Sequence, residues 1–220
     1  QRQMCIRDRF DAAKYIVPTN DNLGTSWKNL DPPDNFNQWR TGPLGIGFER
    51  TPRNFTELIR TRVKPSDKCN ECSNVLVRIP FSLENPDDIS KLTLRMKYDD
   101  AFVAYLNGVE VARRNVVDEQ PAFNARASSN TNTRAVKFEN IDISQFVADI
   151  QLSTHNVLAI QAINSSPRSY DMLVVPELID GLLPDLDAVG IPHQQGPPQV
   201  EFGDFDANPV SGNQDQEFIE

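Results

Sequence analysis

Two adjacent carboxylates, Asp99 and Asp100, are the residues of this chain best suited to binding chemistry. They follow a strand-like segment directly and precede a predicted hairpin, and carboxylate oxygens in such a position can serve as hard ligands for Ca²⁺. Some sugar-binding β-sandwiches use a similarly placed pair for calcium-assisted carbohydrate binding. We therefore take Asp99 and Asp100 as candidate ligands for Ca²⁺ and for a sugar.

Aromatic rings beside such a pair would give a sugar a surface on which to stack. Trp39 and Tyr105 are the candidates for this role. The alternative is structural, with both carboxylates accepting backbone N–H groups and fixing a turn. Arg113 or Arg114 would then be the neutralising partner.

Cys69 and Cys72 form a C-x-x-C pair in a polar loop. Three interpretations stay open: a local disulfide in an exported protein, half of a zinc or redox site, or two free thiols. No second Cys/His pair accompanies them, and no βαβ pattern surrounds them. We take Cys69 and Cys72 as a candidate disulfide.

Catalytic motifs are missing from the sequence. There is no G-x-S-x-G elbow, P-loop or H-E-x-x-H, and the only histidines are His155 and His193. The acidic run at Asp204–Asn208 begins like a calcium loop, but Pro209 replaces the glycine that an EF-hand requires. We expect no catalytic residues, and Ca²⁺ is the single cofactor candidate.

The elements that would carry these residues show a period of two, typical of half-buried strands. Leu92–Tyr98 alternates most clearly, and Asn107-Gly108 between two alternating segments predicts a type I′ hairpin. The predicted strands are 75–83, 92–98, Phe102–Leu106, Val109–Arg113, Ala135–Phe138, Val157–Ile163 and Met172–Val175, with a short helix in Ser144–Leu152. Many short strands and almost no helix predict an all-β fold, a jelly-roll β-sandwich.

Charge is distributed unevenly along the chain. The 220 residues carry a net charge of -9. Nine acids and no Lys or Arg fall in residues 180–220, whereas the preceding residues hold 22 charges of each sign. The acidity and the Pro and Gly content predict a linker at 180–199, and an acidic chain is a poor match for nucleic acid. No apolar run is long enough for a membrane span.

Residues 1–9 show neither strand alternation nor a helical stripe, and we interpret them as a non-native segment.

Four segments of the remaining chain resemble one family of bacterial modules. These are Trp39–Phe48, Val77–Phe81, Leu92–Asn115 and Asn156–Gln161. They are similar to the galactose-binding-domain-like jelly rolls of large bacterial surface or secreted proteins, which often stand beside lamin-tail and CotH-type kinase domains.

This resemblance implies a galactose-binding-like β-sandwich at 10–179 and an exported or cell-surface location. Residues 200–220 resemble the opening of a lamin-tail domain, an immunoglobulin-like sandwich, and so imply a truncated fragment of one. The implied function is a non-catalytic binding module for carbohydrate within a multidomain protein. The alternative is a structural spacer that positions neighbouring domains of the same chain and binds no ligand.

Overall fold

The computed structural model describes residues 12–31, 36–50, 56–129 and 135–183. All of them belong to the first of two units into which the chain divides, Gln1–Pro184, while the second, Asp185–Glu220, lies outside the described residues. The predictions for residues 1–9, for most of the linker at 180–199 and for the lamin-tail fragment at 200–220 also lie outside the described residues.

Strands are the main regular elements of the described chain. They are β1 (Ala13–Ile16), β2 (Arg40–Gly42), β3 (Ile46–Glu49), β4 (Thr61–Arg62), β5 (Asn74–Ser82), β6 (Leu92–Asp99), β7 (Ala101–Leu106), β8 (Val109–Arg114), β9 (Glu139–Asp142), β10 (His155–Ile163) and β11 (Asp171–Asp180). One short helix, α1, spans Val147–Ile150. Single 3₁₀ turns form at Ser26–Lys28, Phe36–Gln38, Thr56–Leu58, Pro65–Asp67, Pro86–Asp88 and Ser144–Phe146.

The strands form two sheets. Sheet 1 has the order β2-β1-β5-β10-β7-β8, and sheet 2 has the order β4-β3-β11-β6-β9. All pairings are antiparallel except the short parallel pairing of β3 with β4. Consecutive strands cross between the sheets from β5 through β7 and again from β9 through β11. This confirms the predicted fold class, a β-sandwich of jelly-roll type.

Alternating residues of both sheets build the central core. On β5 it receives Val75, Val77, Ile79 and Phe81, as the period of two predicts. On β6 it receives Leu92, Leu94 and Met96, with Tyr98 half-buried against it. Each such side chain contributes about 1.5–3 kcal/mol when buried, so this face provides most of the driving force for folding.

The opposite face of sheet 1 is buried as well, under an outer layer of loops. This outer layer contains Trp27, Trp39 and Ala125, which pack on Leu76, Ala101, Val103, Tyr105, Ala159 and Ile163 of the sheet. β10 is therefore covered on both sides, as its nearly continuous apolar run predicts. Long polar loops can serve as a cover only where their backbone groups find partners.

Arg78 provides partners for the first of these loops. Its side chain is 4% exposed on the outer face of β5. The guanidinium donates to the carbonyl oxygens of Trp27, of Asn29 at 2.6 Å and of Leu30 at 3.0 Å. One buried cation thus replaces its water shell with backbone carbonyls and holds the loop that carries Trp27.

The Asn107-Gly108 turn joins β7 and β8, as predicted. Asn107 has φ of 51° and Gly108 has φ of 91°, the positive values that a type I′ turn requires. The Asn107 side chain also bonds the neighbouring strand, because its Oδ1 accepts the Val157 N–H at 2.9 Å and its Nδ2 donates to Asn156 Oδ1 at 2.9 Å. The hairpin is therefore fixed to β10 as well as closed on itself.

Two prolines lie within long strands, opposite positions where a neighbouring strand has ended. β1 pairs with Leu76–Arg78 of β5 and stops short of Pro80. β3 pairs with Asp171–Val174 of β11 and stops short of Pro176. Proline suits such a position, because it has no N–H group to donate to a neighbouring strand.

The strand predicted at Ala135–Phe138 is wrong. These residues form a turn, and the strand begins at Glu139. The Phe138 ring lies under two cations of β6, with Arg95 Cζ 4.2 Å and Lys97 Nζ 4.6 Å from its centroid. Ala135 packs on Leu173. The apolar residues of this segment therefore cover sheet 2 from outside and do not extend it.

The short helix predicted in Ser144–Leu152 forms as a 3₁₀ turn followed by α1, with Ile150 buried. α1 ends at Ile150, and the next residue, Gln151, has a φ of 51°. Across the described ranges, no helix has the length and apolarity to cross a bilayer.

We expect Asn107→Ala to lower the free energy of unfolding by about 2–3 kcal/mol. The substitution removes the side-chain hydrogen bonds to Val157, Asn156 and Ile150, worth about 1 kcal/mol or less each. It also places alanine, which rarely adopts positive φ, at a position where φ is positive. Asn107→Gly keeps the backbone freedom and should lose about 1–2 kcal/mol. Urea denaturation measures both variants, and wild-type stability in Asn107→Ala would contradict the proposed fixation.

Candidate functional site

Asp99 and Asp100 lie where the chain passes from one sheet to the other. Asp99 ends β6 in sheet 2, and Asp100 immediately precedes β7 in sheet 1. The peptide bond between them is cis. Both residues are fully buried, at 0% and 1% exposure. The pair therefore sits inside the fold and presents no carboxylate to solvent.

Asp100 fastens this corner to the segment after β10. Its Oδ2 accepts the Ser165 N–H at 2.7 Å, and its backbone carbonyl accepts the Asn115 amide at 2.8 Å. These bonds match the structural alternative stated for this residue. The neutralising partners suggested for the pair are wrong, however. Arg113 Nη2 pairs with Glu110 at 2.7 Å, and Arg114 Nε pairs with Glu139 at 2.6 Å.

Asp99 is in a different electrostatic situation. Its carboxyl oxygens have no hydrogen-bond partner of good geometry among the described residues, although the Asp100 carboxyl lies beside them. Burial, followed by the negative charges of Asp100, Asp171 and Glu49, raises the pKa of Asp99 to about 8. The folded protein therefore favours the protonated form of Asp99 relative to the unfolded chain.

In the part of the chain that the structure describes, no three His, Cys, Asp or Glu side chains converge closely enough to hold a metal ion. The calcium prediction for Asp99 and Asp100 stays a prediction without a ligand set in the described ranges.

The two rings predicted to stack on a sugar lie far from the carboxylates. Tyr105 is five residues along β7 from Asp100, a distance of roughly 16 Å. Trp39 precedes β2 at the opposite edge of sheet 1, four strands away from β7, or roughly 19 Å. Their exposures are 5% for Trp39 and 4% for Tyr105, because both belong to the outer layer.

Tyr105 does line a hollow of about 280 Å³ in the outer layer, together with Trp27, Lys28 and Gln120. Trp27 meets the Tyr105 ring edge-on at 5.8 Å, and Lys28 Nζ lies 4.2 Å from its centroid. Burial, with Glu110 contributing, raises the pKa of Tyr105 to about 12. A cation therefore already lies over the Tyr105 ring.

A larger cleft, of about 530 Å³, opens elsewhere in the sandwich. It lies between the edge strand β2 of sheet 1 and the edge strand β4 of sheet 2, and the chain that follows β1 also lines it. Its charged side chains are Arg40, Arg62, Lys64, Asp67 and Lys68. Its other polar and aromatic side chains include Asn20, Asn22, Gln38 and Tyr15.

No single motif predicts this cleft, because three separated segments of the chain build it. One available signal was the spacing of Arg62 and Lys64, which places two cations on one side of an extended segment. The folding of β2 beside β1 then adds Arg40, and no spacing rule in the sequence connects it with residues 60–68.

Cys69 and Cys72 are joined by a disulfide, with an S–S distance of 2.06 Å. Cys72 is fully buried in the central core, and Cys69 follows Lys68 of the cleft directly. The bond ties the turn that carries Lys68 to the core. A zinc site or a redox pair of free thiols does not apply while the two sulfurs are bonded to each other.

No protein-family model and no curated protein matches the chain. Solved structures do match it in part. The chain is similar to Bacteroides uniformis β-glucuronidase, at 15% identity and a TM-score of 0.46 over 81% of this chain and 18% of that one. An uncultured Clostridium sp. β-glucuronidase matches at 10% identity and a TM-score of 0.44, over 82% of this chain and 29% of that one.

Ruminococcus gnavus β-glucuronidase matches at 14% identity and a TM-score of 0.40, over 74% of this chain. The chain spans 21% of the length of that enzyme. At these identities and TM-scores, the likeness says nothing about the activity of the chain.

We expect Asp99→Asn to flatten the pH dependence of stability. An unfolded carboxyl ionises near pH 4 and the folded one near pH 8, so the folded state binds the extra proton between these values. Ionisation on unfolding therefore lowers the free energy of unfolding by about 1.4 kcal/mol per pH unit as the pH rises through this window.

Urea denaturation at pH 5, 6 and 7 compares the variant with the wild type. The exposed Asp118→Asn serves as the matched control and should keep the wild-type slope. An unchanged slope in Asp99→Asn would show that Asp99 is ionised in the folded protein.

Proposed function

We propose that this chain is a non-catalytic binding module of a large exported or cell-surface protein, and that it binds carbohydrate in the cleft between β2 and β4. We include in the proposal that the chain is one of the galactose-binding-like modules that its segments Trp39–Phe48, Val77–Phe81, Leu92–Asn115 and Asn156–Gln161 resemble. It also includes the lamin-tail fragment at residues 200–220. The observation that carries the proposal is the composition of the cleft.

Saccharides are bound through hydroxyl groups and apolar ring faces, and the cleft offers groups for both. Asn22 and Gln38 supply exposed amides, which donate and accept hydrogen bonds together as a hydroxyl requires. Asn20 orders the segment that carries Asn22, because its Oδ1 accepts the Asn22 N–H at 3.0 Å. Tyr15 contributes a half-buried ring.

The cleft favours binding over hydrolysis. Cleavage of a glycosidic bond generally needs two carboxyl groups flanking it, about 5 to 9.5 Å apart. Among the described residues that line the cleft, Asp67 is the single carboxylate, and it pairs with Lys64 at 2.8 Å. We accordingly assign no catalytic residue.

The second candidate function is a structural spacer that binds no ligand. The burial of Trp39 and Tyr105 and the bonds that tie Asp100 into the fold favour it. Under this alternative, the cleft would be an incidental gap between two short edge strands.

A glycan array with the 220-residue chain distinguishes the two functions. We expect binding to a subset of glycans, lost in Asn22→Ala/Gln38→Ala because both changed amides line the cleft. Gln120→Ala in the hollow and Gln145→Ala on an exposed turn are matched controls that should bind normally. The array is run with and without Ca²⁺ and repeated with Asp99→Ala/Asp100→Ala to test the original candidate site.

The absence of any glycan signal in either condition would favour the spacer. A signal that persists in the cleft variant but disappears in Gln120→Ala would move the site to the hollow over Tyr105. A signal that depends on both Ca²⁺ and the Asp99/Asp100 pair would return it to the corner between β6 and β7.

A further inference from the structure

The cleft between β2 and β4 carries an excess of positive charge. Of the residues that the structure describes there, four are cations and one is a carboxylate, although the whole chain has a net charge of -9. A local excess of this kind does not follow from the composition of the chain. It raises the local concentration of anions at the cleft mouth.

The four cations differ in how they are engaged. Lys64 pairs with Asp67, so these two charges largely cancel. Arg62 donates from Nη1 to the Glu49 backbone carbonyl at 3.4 Å, a bond that leaves its positive charge uncompensated. Arg40 and Lys68 form no side-chain hydrogen bond and no ion pair within the described residues.

These three uncompensated cations are held by ordered elements on both sides of the cleft. Arg40 lies on β2, opposite Tyr15 of β1. Arg62 lies on β4, paired with Gly47 of β3. Lys68 is adjacent to the Cys69–Cys72 disulfide. Because their backbones are already ordered, less conformational entropy is lost when a ligand binds.

We infer that the ligand of this cleft is an acidic saccharide, whose carboxylate or sulfate groups pair with Arg40, Arg62 and Lys68. The inference rests on the proposed carbohydrate-binding function and narrows its ligand class. Arginine matches a planar carboxylate through two parallel N–H donors, and Lys68 acts as a point charge. The amides of Asn22 and Gln38 then recognise the hydroxyl groups that a simple anion lacks.

The volume of about 530 Å³ is within the usual range for sites that hold a small organic ligand. It exceeds what an isolated phosphate or sulfate ion would fill. The neutral balance of charges before residue 180 also argues against a nucleic-acid backbone, which needs a continuous basic track.

Titration calorimetry with the 220-residue chain tests the inference. The probes are a galacturonic acid tetramer, a sulfated galactose tetramer and the uncharged galactose tetramer of equal length, with inorganic phosphate and a short single-stranded DNA as further anions. In 50 mM NaCl we expect at least one acidic tetramer to bind tenfold or more tightly than the neutral one. Salt at 500 mM should reduce this difference severalfold.

Arg40→Gln/Lys68→Gln should weaken acidic binding about tenfold and leave neutral binding unchanged. Arg126→Gln/Arg168→Gln removes the same net charge from exposed positions outside the cleft and should bind as the wild type does. Circular dichroism and thermal unfolding establish that each variant is folded.

The results separate this inference from the proposed function. Equal binding of the acidic and neutral tetramers, lost in Asn22→Ala/Gln38→Ala, would overturn the inference and leave the carbohydrate function intact. Binding of phosphate or DNA as tight as that of the acidic tetramers, or equal losses in both charge variants, would show general attraction of anions and also overturn it. No saccharide binding at all would overturn both.

Discussion

The guanidinium of Arg78 is the interaction on which the outer layer of this protein depends. It is buried on the outer face of β5, and burial lowers its pKa from the usual value, as expected for a cation withdrawn from water. Three backbone carbonyls of residues 27–30 compensate that loss. Because they come from one loop, satisfying the charge also places Trp27 over β7, which buries Tyr105 and closes the second face of β10.

The elements of the fold differ in how well the sequence predicts them. Elements whose sequence signal is local were correctly predicted, such as the alternation of β6 and the Asn107-Gly108 turn. The Ala135–Phe138 segment was wrongly assigned because apolar residues over a sheet resemble apolar residues within one. What decides between the two is the presence of Arg95 and Lys97 on the facing strand, and these residues are about 40 positions away in sequence. Pattern analysis of the segment alone does not contain that information.

The candidate residues divide in a similar way. Asp99 and Asp100 are noticeable in the sequence because they are adjacent, and adjacency suggested a shared ligand. In the fold both carboxyls are buried, and that of Asp100 accepts the Ser165 N–H. The cleft, by contrast, combines side chains from residues 15–23, 38–40 and 62–68, which only the meeting of two sheet edges brings together. Sequence spacing describes sites on one element well and sites between elements poorly.

The two prolines inside β5 and β11 have a consequence for the reliability of strand pairing. A slip of β1 or β3 by two residues would keep every side chain on its proper face, so hydrophobic burial alone would not oppose it. Pro80 and Pro176 lack the N–H group that a longer partner strand would need. Each proline therefore limits how far its partner strand, β1 or β3, can extend its hydrogen-bonded pairing during folding.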